Sequence, residues 1–104
     1  MIQIKILKNQ TDRPMGFRIS GHSGYEEAGK DIVCSAVSML ATNTVNAIES
    51  FTADEQDVLA VNEEEGFFEF RLKTVSQESE LLLKTFALGA ETLAKSYKKF
   101  VQVK

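Results

Sequence analysis

A chain of 104 residues with 43% apolar and 26% charged side chains has the size and composition of one folded domain on one core, not of a disordered tail or a fibre. Fifteen acidic against twelve basic residues leave a net charge of −3, which argues against electrostatic capture of nucleic-acid backbones and so against a nucleic-acid partner. One cysteine excludes an internal disulfide, and with the single histidine it falls short of the four ligands of a structural zinc site, so neither a metal nor any other cofactor is expected.

Ile2, Ile4 and Ile6 alternate with Gln3 and Lys5, the period of two that predicts a half-buried strand over residues 2–8. Residues 9–14 read as a turn. Met15, Phe17 and Ile19 alternate with Gly16, Arg18 and Ser20, predicting a second strand that pairs with the first as a hairpin and ends at Gly21 and His22. Residues 23–30 hold Gly24, Gly29 and the pair Glu26 and Glu27 with little to bury, and are expected to form a mobile surface loop. From Asp31, a favourable N-cap, the apolar positions recur three or four apart through Val33, Val37, Leu40, Ala41, Thr44, Ile48 and Phe51, predicting a long helix.

A polar connector over 52–56 leads to a strand over 58–61, a turn over 63–66 and a strand over 67–72, a second hairpin. Alternation puts Phe68 and Phe70 on one face of that strand and Phe67 on the other. Leu82, Phe86, Leu93 and Tyr97 mark a second helix over 77–99, with Ser76 as its cap and Lys95, Lys98 and Lys99 favourable at its C-terminal end. Residues 100–103 add a short last strand. The order ββαββα, with a final β, predicts the α+β class: a two-layer single domain over residues 1–104 with two helices on one mixed or antiparallel sheet. No apolar run approaches the roughly 20 residues of a membrane span, and residues 1–20 carry charges where an export signal is apolar. No membrane partner is expected, and the chain is placed in the cytoplasm.

The chemistry-bearing residues lie on either side of the glycine-containing loop. Cys34 falls three positions after the expected cap, where unpaired backbone N–H groups and the helix dipole favour a thiolate. His22, twelve residues earlier, ends a strand from which the loop can fold back over the helix start. A lone free cysteine is more often a small buried apolar side chain, and a lone histidine a satisfied structural one. Their joint placement is what points to a thiolate–imidazolium pair able to act as a nucleophile and base.

Gly21-His22-Ser23, followed by the run from Gly29 to Ser38 that reads Gly-Lys-Asp-Ile-Val-Cys-Ser-Ala-Val-Ser, closely resembles the signature of the bacterial ribosomal-processing cysteine protease family, Prp. In that family a Gly-His-Ala element precedes Gly-x-Asp-Ile-Val-Cys-Ala-Ala-Val-Ser, and Ser23 and Ser35 stand here where alanine is common. The resemblance implies a cysteine endopeptidase that removes a short N-terminal extension from the large-subunit ribosomal protein numbered twenty-seven, exposing the end that approaches the peptidyl-transferase centre. It further implies Cys34 as nucleophile, His22 as base, a homodimer, and a loop bearing Ser23, Gly24 and Gly29 that covers bound substrate.

Ser38, one turn beyond Cys34, either bonds the thiolate or orients His22, or bonds the carbonyl four residues back as helical serines commonly do. Asp31 serves better as a cap than as an orienter, since its charge opposes a thiolate at close range. Backbone N–H groups around Cys34 are candidates for an oxyanion hole. The run Glu63, Glu64 and Glu65, with Glu26 and Glu27, is either solvated surface or an attractor for a basic precursor. The competing function is a non-catalytic ribosome-associated module that grips a precursor peptide without cutting it. A thiol redox switch ranks behind both, for want of a resolving cysteine.

Overall fold

The computed structural model describes residues 1–21 and 30–104, with side chains in the second segment from residue 32 onward. Strands β1 (Ile2–Lys8) and β2 (Pro14–Ser20) form the expected antiparallel hairpin. The Asn9 carboxamide oxygen organises its turn by accepting from the N–H groups of Thr11 (2.9 Å) and Arg13 (3.0 Å), while Asp12 takes a positive φ of 65°. Then come α1 (Lys30–Phe51), the antiparallel pair β3 (Gln56–Asn62) and β4 (Phe67–Leu72), α2 (Gln77–Ser96) and β5 (Val101–Val103).

The strands lie in the order β3-β4-β2-β1-β5, antiparallel throughout except where β5 joins β1 in parallel, so the sheet is mixed. Two helices packed on this five-stranded sheet make the α+β fold that the sequence predicts. Between the layers Phe17 of β2 stacks on Phe86 of α2 with centroids 4.0 Å apart, flanked by Phe68 and Phe70 of β4. Val33, Val37, Ala41 and Ile48 of α1 are buried over the same core.

Four expectations need correction. Helix α1 begins at Lys30, so Asp31 lies within its first turn and not at the cap. Phe51 is 77% exposed, because α1 runs out past the core at its last turn. On α2 the buried positions are Ser79, Leu83, Phe86 and Ala90, with Leu82 and Leu93 at the margin, so of the predicted stripe within the helix only Phe86 is fully buried. That helix also stops at Ser96, leaving Lys98 and Lys99 in the turn, because the Tyr97 carbonyl accepts from both Phe100 and Val101 and redirects the chain into β5.

Membrane potential of the sequence also needs restating: Ile32–Phe51 has the length and mean hydropathy, 1.2, of a span. Val33, Val37, Ala41, Val45 and Ile48 of this helix are buried in the core, while Thr42, Asn43, Asn46 and Glu49 share its exposed side with Ile32, Met39 and Phe51.

Ser76 caps α2 as predicted, its hydroxyl accepting from Ser79 N–H at 3.2 Å. Asp54 in turn accepts from the Ser76 hydroxyl (2.6 Å) and N–H (2.8 Å). Burial pushes the Asp54 carboxyl up, but the donors of Ser76 and Ser79, with Arg13 nearby, outweigh it and hold the group below its ordinary value.

On the sheet face away from the core, Glu69 is 7% exposed between Arg18 (2.5 Å) and Arg71 (2.8 Å). The hydrogen bond from Arg18 foremost, and then that from Arg71, hold its carboxyl below the usual glutamate value of 4.5 despite the opposing effect of burial. A depressed folded-state value means the contribution is present above about pH 4.5 and is lost as pH falls through the lower one. Glu69→Gln is therefore expected to lower stability by about 1–2 kcal/mol at pH 7 and to flatten its fall towards pH 3. Urea denaturation at both pH values checks this, and parallel losses in parent and variant would contradict it.

Candidate active site

The sheet order brings together segments that are distant in sequence. The start of β1, the end of β2, the N-terminal half of α1 and the tip of the β3–β4 hairpin enclose a cavity of about 420 Å³. Its floor is apolar, from Ile2, Ile19, Val37 and Phe68. Cys34 stands on its wall as the fifth residue of α1, where the first turn passes into the second, half-buried with its body against the core. The predicted first-turn placement, third in the helix, is therefore shifted by two residues towards the helix interior. The backbone N–H groups of the preceding turn still lie N-terminal to the thiol.

Ser38, one turn further, is exposed and lines the same cavity. Its hydroxyl makes no hydrogen bond among the described residues, in contrast to Thr44, Thr52, Thr85 and Thr92, which each bond the carbonyl four residues back. The commonplace role of a helical serine is thus not the one Ser38 fills. Thr42 continues this polar stripe on the wall.

Gly21, which closes β2, also lines the cavity and has φ 92°, a left-handed conformation that side chains other than glycine rarely adopt. The position a Cβ would take there is filled by the backbone carbonyl of Met1. His22 and the loop positions Ser23, Gly24 and Gly29 lie outside the described residues, as do Glu26 and Glu27.

The hairpin tip is the part of the site that sequence reasoning missed, apart from Glu63, given there as either solvated surface or an attractor for a basic precursor. Val61, Asn62, Glu63, Gly66, Phe67 and Phe68 form the wall facing Cys34. Asn62 shapes the tip by accepting from Glu65 N–H at 3.2 Å, and Gly66, at φ 66°, donates to the Glu63 carbonyl at 3.3 Å. Glu63 thereby stands at the cavity instead of being plain solvated surface. The available signal was the i, i+4, i+8 row Cys34, Ser38, Thr42, a polar stripe beside an apolar one.

Residues 1–102 match the sequence model of the family described as cysteine protease Prp. The ribosomal processing cysteine protease Prp of Bacillus subtilis (strain 168) is 28% identical over 108 residues, covering 99% of this chain and 96% of that protein. The structure of the essential ribosomal processing protease Prp from S. aureus in complex with a substrate peptide matches with a TM-score of 0.88 and 27% identity, over 100% of this chain and 98% of the other. The same S. aureus protease with a covalently linked product peptide matches with a TM-score of 0.86 and 28% identity, over the same shares. A family match across almost the entire sequence, on a fold that places its one cysteine in an open cavity, shows that this chain belongs to the Prp family and is a cysteine protease.

Proposed function

We propose that this protease removes the short N-terminal extension of the bacterial large-subunit ribosomal protein numbered twenty-seven, with Cys34 as nucleophile and His22 as base. The observation that carries the reading is Cys34 on the wall of an open, apolar-floored cavity near the start of α1. The B. subtilis relative bears a ribosomal processing name, and the S. aureus relative holds a substrate peptide in one structure and a covalently linked product in another. Both support a peptide substrate from the ribosome.

In the proposed reaction the Cys34 thiolate adds to the scissile carbonyl, and backbone N–H groups at the start of α1 steady the resulting oxyanion. The C–N bond then breaks, and His22 gives the leaving amine the proton it took from the thiol. A thioester remains on Cys34; water attacks it, its proton passing to His22, and the acid product departs as the thiol is restored. Ser38 is placed to support the thiol, having no competing backbone bond among the described residues. The loop over residues 23–30 is assigned to cover bound substrate, the active species is a homodimer, and the compartment is the cytoplasm.

Incubation with the extended and the trimmed ribosomal protein, followed by mass measurement, is the test. The extended form is expected to lose its N-terminal segment and the trimmed form to keep its mass; an unchanged extended form would refute the substrate assignment. Sedimentation at micromolar concentration checks the dimer, which a single species of monomer mass would exclude.

A further inference from the structure

β3 is one of the two edge strands: β4 lies on one side and, among the described residues, no strand lies on the other. The phase of its hydrogen bonding follows from one bond, Lys73 N–H to the Glu55 carbonyl at 3.0 Å. Residues of an antiparallel pair alternate between bonded and unbonded, so on β4 Arg71, Glu69 and Phe67 turn towards β3 while Phe70 and Phe68 turn towards β2. Opposite those last two stand Leu59 and Val61, which therefore direct their own N–H and C=O groups to the open edge.

A bulge between Gln56 and Val58 leaves Asp57 unpaired at one end of this edge, but from Val58 onward the strand lacks the usual protections. Gln56–Asn62 contains no proline and no lysine, and Asp57 is its one charge. Its core-side residues Leu59 and Val61 remain 43% and 52% exposed, and Val61 also belongs to the cavity that holds Cys34. An open, apolar strand edge thus runs directly into the site of cleavage.

Two occupants compete for such an edge, a second copy of β3 or an extended peptide. Antiparallel self-pairing centred on Leu59 brings Glu63 opposite Glu55, and centred on Ala60 it brings Glu63 opposite Asp57, so like charges oppose it in either register. A peptide without carboxylates meets no such opposition. We infer that the substrate peptide binds as an added strand on the edge of β3, bonded to the backbone of Leu59 and Val61, with its core-side residues leading into the cavity beside Cys34. The inference deepens the proposed function and rests on its peptide substrate.

The test removes one backbone donor. Because the Leu59 N–H points away from β4, Leu59→Pro deletes no bond of the sheet, and an edge strand tolerates it. Binding is read by anisotropy of a fluorescein-labelled peptide spanning the extension and its junction, with the Cys34→Ala protein as parent so that nothing is cleaved. Leu59→Pro is expected to weaken binding about tenfold, and Leu59→Ala, which keeps the N–H, about threefold or less. In the parent itself, saturating peptide is expected to slow amide exchange at Leu59 and Val61, which needs no variant to fold.

Equal affinity of the proline and alanine variants, or exchange at both amides unaltered by peptide, would overturn the inference. So would dissociation of a dimer by Leu59→Pro in sedimentation, which would give the edge to a second copy. Failure of the substrate assignment looks different: the parent then binds no peptide, and both statements fall.

Discussion

Cys34→Ala is expected to abolish trimming while leaving a folded protein that still binds the precursor. The loss should be at least about 10⁴-fold, because without the sulfur no thioester forms and the route through a covalent intermediate closes. Stability should change by no more than about 1 kcal/mol: the side chain is small and half-buried, and alanine is the better helix former. The variant should therefore accumulate bound precursor as a trap. His22→Ala should also stop turnover, and the double variant should be no worse than either single one, since the proposed nucleophile and base act as one unit. Mass measurement of the extended ribosomal protein incubated with each variant decides the matter. Trimming by folded Cys34→Ala at the parental rate would falsify the assignment of the nucleophile and return the chain to a binding role.

How far the sequence carried depended on the range of the physics involved. Both hairpins, both helices and the terminal strand follow from local periodicity, turn residues and the Ser76 cap, whose effects reach only a few residues. The helix faces were less legible. Leu83 and Leu82 are equally apolar, yet the first is buried and the second lies at the margin, a difference set by how α2 packs on the rest of the fold and not by spacing along the chain. Phe51 continues the α1 stripe by spacing, yet it is exposed.

The site divides in the same way. Cys34 was legible from its uniqueness and its place near a helix start, and Gly21 as the residue closing a strand before His22. The facing wall was not, because it depends on strand order: only when β4 pairs with β2 does the tip bearing Val61, Glu63 and Phe67 reach α1. Glu63 to Glu65 carry no local sign that separates a cavity wall from solvated surface.

The order of the strands also explains why one methyl group at Gly21 should matter. Met1 leads into β1, which pairs with β2 as Gln3 opposite Ser20, so the Met1 carbonyl is fixed against the end of β2 by the ladder itself. That carbonyl fills the space of an L-residue's Cβ at position 21, and φ there is 92°. A backbone atom held in a sheet cannot yield as the end of a flexible side chain would. Gly21→Ala must therefore shift the chain where it leaves β2, one residue before the proposed base.

Stability should fall by about 1–3 kcal/mol, as for a non-glycine residue forced into a left-handed conformation. Trimming, as kcat/KM, should fall by about a hundredfold or more, because displacement of a reacting group by about 1 Å has that effect. D-Alanine at position 21, introduced by chemical ligation, separates the two losses from simple crowding: it accepts positive φ and turns its methyl away from Met1, so it should recover most of the activity. If Gly21→Ala folds and trims at the parental rate, or if D-alanine is as damaging as L-alanine, the backbone at Gly21 does not set the position of the base.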